Sequence, residues 1–306
     1  MSGIVTGALV TGLAGPAGAQ VSQVTQGSQG AHSGQDARVL DVRRAAGART
    51  GPGGIAAEYA DLSDAATGAP LWTRQPYTEV PMGSIAKVMT AYVVLQTGAD
   101  LNRVITVPKG VTAYDEKYGA STAGLEPGEK LTTEQLLYAM LVPSGCDAAY
   151  ALANAYGPGI SGFVAKMNAT AASLGLARTH FTDPSGLPDP TETSTYSDAQ
   201  DLVNLGRDAM DLPLFRRIVG TGSYTVAAGD GRRAHTWVTT DPLLGSYAGA
   251  EGIKTGNTDE AGTCLLFEAE RDGRTLIGVV LHSSLTSFTP TAQDATALLN
   301  WGFSQG

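Results

Sequence analysis

Only two cysteines, Cys146 and Cys264, occur in the 306 residues, too few for a disulfide framework. Neither has a second Cys or His at a ligand-type interval, so no zinc-site spacing is present; the sequence alone leaves a bond between the two open. Lysine is scarce as well: Lys87, Lys109, Lys117, Lys130, Lys166 and Lys254 are six of the 20 basic residues. The 20 basic residues against 29 acidic ones leave a formal net charge of −9. No Lys/Arg cluster is dense enough to follow a phosphate backbone, which argues against nucleic acid as a partner. There is no internal repeat, and no apolar run is long enough to cross a bilayer.

The chain opens on small apolar residues, GIVTGALVTGLA at 3–14, followed by GPAGAQ. Within the latter, Ala17-Gly18-Ala19 has the small-x-small form of a signal-peptidase site. Residues 1–19 are therefore expected to be an export signal. No Lys or Arg precedes the run and the first charge is Asp36, as would follow from a start site assigned too far downstream. Residues 20–54, rich in Gln, Ser, Gly and Ala, read as a linker, and residues 55–306 as the folded domain. Its end, just after LLNWGFSQG, implies one domain without a C-terminal anchor.

That domain begins with GIAAEYADLSDAATGAPLWTR, two short strands about a turn at Thr67-Gly68. A helix over 84–97 follows, with Ile85, Val88, Met89, Tyr92 and Val93 at apolar spacing and a stop at Gly98. Further helices are expected in TTEQLLYAMLVPS, CDAAYALANAYG, GFVAKMNATAASLGL and STYSDAQDLVNLGRDAM, the last with Ser197 as N-cap. After Ile218 the pattern turns to strands, including GSYTVAA, GIKTGNT and TCLLFEAERDGRTLIGVVLHS, with Asp272-Gly273 as a hairpin turn. PTAQDATALLNWGF closes the domain as a helix. Strands, a helical middle, then strands and a final helix define an α+β class with an antiparallel sheet.

Three short stretches carry chemistry. In PMGSIAKVMTAYVV, Ser84 and Lys87 stand at i and i+3 and share one helix face. A strongly hydrated ammonium is out of place on so apolar a segment. Burial and a second nearby cation both disfavour a charged amine, which turns a lysine into a usable base. Ser84 near the helix start also puts its own N–H among the unpaired donors there, where a carbonyl oxygen could sit. In VPSGCDAAY, Ser144 lies in a turn after Pro143, able to relay a proton to a leaving amine. In GIKTGNT, Lys254, Thr255 and Gly256 lie at the end of a strand, where a cation and a hydroxyl beside a glycine-relieved edge can hold a substrate carboxylate. His32, His180, His235 and His282 show no triad arrangement and read as structural or surface groups.

S-x-x-K, S-G-x and K-T-G in this order resemble the motif set of penicillin-binding proteins and class A β-lactamases. TGAPLW, QLLYAMLVPSGCDAAYALA, THFTDPSGLPD, TYSDAQDL and KTGNTDEAGTCLLF narrow the resemblance to the low-molecular-mass penicillin-binding proteins. These are the serine D-Ala-D-Ala carboxypeptidases and transpeptidases of peptidase family S11, and the likeness runs from about Gly54 to the end. It implies a β-lactamase/transpeptidase-like fold in which Ser84 is acylated, Lys87 is its base and Ser144 relays the proton. Lys254 polarises that relay, Thr255 binds the terminal carboxylate beside Gly256, and the N–H groups of Ser84 and Asn257 form an oxyanion hole. The implied partners are peptidoglycan stem peptides ending in D-Ala-D-Ala and β-lactam antibiotics, met outside the cytoplasm, with peripheral contact with the outer membrane face. Neither metal nor cofactor is needed.

Cys146 departs from the family, which usually has Asn as the third residue of the middle motif. A thiol cannot offer both a carbonyl acceptor and an amide donor, so the contact to substrate amide and lysine is weakened. The same S-G-C occurs in a small actinobacterial DD-transpeptidase that the chain resembles, so activity is expected to survive with poor carboxypeptidase turnover. Cys264 is expected in the core. No E-x-x-L-N segment supplies the deacylating glutamate of class A β-lactamases, so a penicilloyl ester is expected to persist. A β-lactamase and an inert binder of β-lactams or wall peptides are the alternatives.

Overall fold

The computed structural model describes residues 51–229 and 231–305. The expected export signal, His32 and all but the last few linker residues lie outside them. In chain order the elements are β1 (Tyr59–Asp64), β2 (Pro70–Arg74), β3 (Val80–Pro81), a 3₁₀ turn (Gly83–Ala86), α1 (Lys87–Gln96), β4 (Val104–Thr106) and α2 (Val111–Tyr118). Then come β5 (Lys130–Thr132), α3 (Thr133–Leu141), α4 (Cys146–Tyr156), α5 (Gly159–Ser173), β6 (Tyr196–Ser197), α6 (Ala199–Met210) and α7 (Pro213–Val219). The chain ends with β7 (Ser223–Val226), β8 (His235–Val238), β9 (Ala250–Thr258), β10 (Gly262–Arg271), β11 (Arg274–Leu281) and α8 (Phe288–Phe303). No helix among the described residues is long and apolar enough to cross a membrane.

Five strands make one sheet in the order β2-β1-β11-β10-β9, antiparallel at every pairing. The runs TCLLFEA and TLIGVVL are almost continuously apolar because both faces of this sheet are covered. Leu265, Phe267, Leu276 and Val280 pack with Leu298 and Leu299 of α8, while Leu266, Ile277, Val279 and Leu281 join the core beneath the helical region. Period-2 alternation thus divides side chains between two buried layers, and each fully buried leucine contributes about 1.5–3 kcal/mol. The β10–β11 hairpin turns at Asp272-Gly273 with φ of 54° and 78° and pairs Arg271 with Arg274. Two positive φ values match the twist that a two-residue hairpin needs.

Helix starts follow their side-chain chemistry. Thr132 caps α3 reciprocally with Gln135, a capping box. The N-cap of α6 is Asp198, whose carboxylate accepts from Asp201 N at 2.7 Å, rather than Ser197, which lies in β6. A carboxylate there serves as well as a hydroxyl and adds charge at the positive helix end. Two helices escape the apolar pattern: α2 buries only Val111, and α7 is a short segment opened by Pro213.

Candidate active site

Edge strand β9 is pressed against the 3₁₀ turn that carries Ser84. The contact is close enough to require two glycines. A Cβ on Gly256 would lie 2.3 Å from Met82 O, and one on Gly83, whose φ is +54°, would lie 2.6 Å from Asn257 N. Glycine alone tolerates both the backbone angle and the approach. The result sets Asn257 beside Ser84 on the wall of a cleft of about 390 Å³, which Cys146, Ser121, Tyr118 and Leu187 also line. Lys254, Thr255 and Gly256 lie in the interior of β9, not at a strand end as expected, because β9 continues through Thr258 in register with β10.

Lys87 is completely buried. Its Nζ lies 2.7 Å from Ser84 Oγ, 3.2 Å from Cys146 Sγ and 3.4 Å from the Ser185 carbonyl oxygen. Among the described residues no carboxylate forms an ion pair with it. Asp115, Asp147 and Asp183 stand further off, each held down by the charge of Lys87 but raised more by burial, Asp115 to about 7. An amine one hydrogen bond from a half-buried serine hydroxyl is the geometry of a base next to its nucleophile.

Lys254 is also buried, with Nζ donating to the Thr255 carbonyl at 3.0 Å and lying 3.4 Å from Thr255 Oγ1. Burial first, and the charge of Lys87 second, push its pKa well below the ordinary lysine value. The Thr255 hydroxyl meets that of Thr240 at 2.7 Å, and Thr240 N donates to Val142 O. A short loop thereby ties β9 to the turn that carries Ser144.

Ser144 has φ of 67° and is nearly buried. Its carbonyl accepts from Ser121 Oγ at 2.7 Å; among the described residues no hydrogen bond joins its hydroxyl to Lys87 or Lys254. Lys87 thus joins Ser84 and Cys146, Lys254 and Thr255 lie on β9, and Ser144 is buried in the turn before α4. Cys146 and Cys264 are both free thiols. Cys264 is a core residue whose burial pushes its pKa up to about 12. His235 pairs with Glu129 at 3.2 Å and fixes the β7–β8 hairpin.

Sequence reasoning missed Ser121, Tyr118, Thr240 and the Ser185 carbonyl. Ser185 lies within THFTDPSGLPD, one of the stretches that carry the resemblance, but it is 98 residues from the lysine it contacts, and a carbonyl is common to every residue, so nothing local marks that contact.

Comparison with known proteins gives a consistent result. The chain is 42% identical over 248 residues to a D-alanyl-D-alanine carboxypeptidase of Streptomyces sp. strain K15, covering 78% of this chain and 84% of that one. It is 37% identical to the D-alanyl-D-alanine carboxypeptidase DacB2 of Mycobacterium tuberculosis, covering 79% and 80%. The crystal structure of the Streptomyces K15 DD-transpeptidase matches with a TM-score of 0.78 at 41% identity, covering 83% of this chain and 99% of that one. A Peptidase S11 profile, described as D-alanyl-D-alanine carboxypeptidase, spans residues 46–284, and the chain belongs to that family.

Proposed function

We propose that this protein is a serine DD-peptidase that cleaves the bond between the two terminal D-alanines of peptidoglycan stem peptides. The observation that carries the proposal is the 2.7 Å contact between the buried Lys87 Nζ and Ser84 Oγ. Lys87 takes the proton as Ser84 attacks the carbonyl between the D-alanines, and an acyl-enzyme forms. The Ser84 and Asn257 N–H groups face the developing oxyanion. Lys254 and the Thr255 hydroxyl hold the terminal carboxylate along the free edge of β9, beside Gly256. Ser144 passes a proton to the departing D-alanine, and water or an amine then takes the acyl group.

A β-lactam presents a strained amide and a carboxylate to the same groups and acylates Ser84 in the same way. Such substrates lie outside the cytoplasm, so the reading places the protein there, with peripheral contact with the outer membrane face. Cys146 supplies no amide for the substrate backbone, which favours slow hydrolysis.

Incubation with a fluorescent penicillin followed by denaturing electrophoresis tests the proposal. A persistent band that disappears in Ser84→Ala and Lys87→Met is expected. An undiminished band in either variant would overturn it, and steady nitrocefin turnover would instead identify a β-lactamase. A D-Ala-D-Ala peptide with and without an added amine then separates hydrolysis from transfer.

A further inference from the structure

We propose that Tyr114 is a positioning residue for Lys87, acting through the buried carboxylate of Asp183 and the main-chain carbonyl of Ser185. This inference rests on Lys87 being the base for Ser84.

The segment after Phe181 must place the Ser185 carbonyl 3.4 Å from Lys87 Nζ. No strand or helix defines residues 183–187; they are shaped by side-chain hydrogen bonds, those of Asp183 above all. Asp183 Oδ1 accepts from Ser185 N at 2.7 Å and from Leu187 N at 3.1 Å. Its other oxygen, Oδ2, accepts from Tyr114 Oη at 2.7 Å, and the same phenol lies 2.9 Å from Ser185 Oγ. Asp183 is 2% exposed and Ser185 fully buried, and the two bonds to the loop amides are buried, so losing them leaves polar groups without a ready replacement. Thr90, one turn beyond Lys87, donates to Pro184 O at 2.6 Å and tethers the loop to α1 from the other side.

Tyr114 is itself held. Its ring packs against Tyr150 with centroids 4.9 Å apart and edge-on to Tyr118 at 5.9 Å. Tyr114 and Tyr118 share one face of α2, and Tyr118 lines the cleft that Ser84 opens into. The phenol stays protonated, since burial and then the Asp183 charge disfavour its anion. It is a donor to the carboxylate that holds the carbonyl that holds the base.

The groups facing Lys87 are Ser84, Cys146 and the Ser185 carbonyl in contact. Beyond them stand the charges of Asp115, Asp147, Asp183 and Lys254. Asp183 aims the Ser185 carbonyl, and that carbonyl aims the amine. Tyr114→Phe removes the donor to Asp183 and loosens the carbonyl. The amine is then less well aimed, so the first-order acylation constant falls by about tenfold, while the dissociation constant of the non-covalent penicillin complex stays as in wild type. A merely structural defect would weaken binding as well.

The test is the concentration dependence of fluorescent-penicillin acylation, resolved into a binding constant and a first-order acylation constant, for the full chain, Tyr114→Phe and Asp183→Asn, with thermal melts alongside. Asp183→Asn keeps an acceptor for the two loop amides, so it lowers the acylation constant by less and leaves binding unchanged; it decides the matter should Tyr114→Phe not fold. A wild-type acylation constant in both variants, or one that falls only together with binding, overturns the inference. Ser84→Ala separates the two levels. If it still labels, the proposed function fails; if it is silent while both other variants behave as wild type, only the role of Tyr114 fails.

Discussion

The backbone nitrogen of Asn257 lies 2.6 Å from the point where a side chain on Gly83 would begin. That proximity brings an N–H of the edge strand next to Ser84, the proposed nucleophile. Gly83→Ala must push β9 away and also hold an alanine at φ of +54°, a strain of about 1–2 kcal/mol. Loss of one oxyanion donor costs about 10²–10³ in rate. Penicillin acylation of Gly83→Ala is therefore expected to fall by about 100-fold, with a clearly lowered melting temperature, because the added methyl meets backbone atoms of β9. A folded variant that labels at the wild-type rate would show that the two amides do not act together.

Why was so much of this site legible in the chain? Ser84 and Lys87 meet because helical spacing alone puts them together, and Lys254, Thr255 and Asn257 belong to one strand. Such local geometry is written into residue order. Sheet and hairpins were legible for the same reason, since alternation and the Asp272-Gly273 turn are local signals. What supports the site is not local. Ser121, Asp183 and Thr240 reach it only when distant segments pack, and serine, aspartate and threonine in loops carry no distinguishing pattern. The N-cap error at Ser197 shows the same limit at small scale. Ser197 and Asp198 are both good caps, and the backbone bend that picks Asp198 depends on β6 pairing with β3.

Asp147 follows Cys146 and is fully buried, and its hydrogen bonds go to main-chain amides rather than to Lys87 or Ser84. Its carboxylate accepts from Ala123 N at 2.9 Å, Leu125 N at 2.9 Å and Ala148 N at 2.8 Å. These bonds brace the segment that carries Ser121 to the cleft. Asp147→Ala leaves buried amides without an acceptor, at about 1–3 kcal/mol each. Denaturant midpoints should drop by an amount equivalent to at least about 3 kcal/mol, and labelling should weaken with the wall. A midpoint equal to wild type would mean that water enters and replaces the carboxylate.

At Cys146 the thiol sits 3.2 Å from Lys87 Nζ and 3.7 Å from Ser121 Oγ. Asparagine there would offer an oxygen to the lysine and an N–H pair to a substrate carbonyl. One added hydrogen bond is worth about 0.5–1.5 kcal/mol. Cys146→Asn should therefore raise kcat/KM for D-Ala-D-Ala peptide hydrolysis by about three- to tenfold. A fall in kcat/KM with an intact fold would show instead that the smaller thiol is needed for the fit around Lys87.

Asp241 gives a pH-dependent stability whose sign can be worked out. It is 6% exposed; Oδ1 accepts from Leu243 N at 2.8 Å, and Oδ2 is buried without a hydrogen bond among the described residues. Burial raises its pKa from 3.8 to about 6, against the opposing pull of the Leu243 amide and Lys254. A carboxyl raised in the folded state binds its proton more tightly there than in the unfolded chain. Its contribution is complete below the unfolded value and disappears as pH climbs through about 6. At pH above 7 the ionised side chain thus costs about 3 kcal/mol, taking about 1.36 kcal/mol per unit. Asp241→Asn keeps the acceptor for Leu243 and removes the charge. Its stability relative to wild type should be highest above pH 7 and vanish near pH 4, by urea denaturation across that range. A difference that does not change with pH would mean that Asp241 is paired with Lys254 strongly enough to stay ionised throughout.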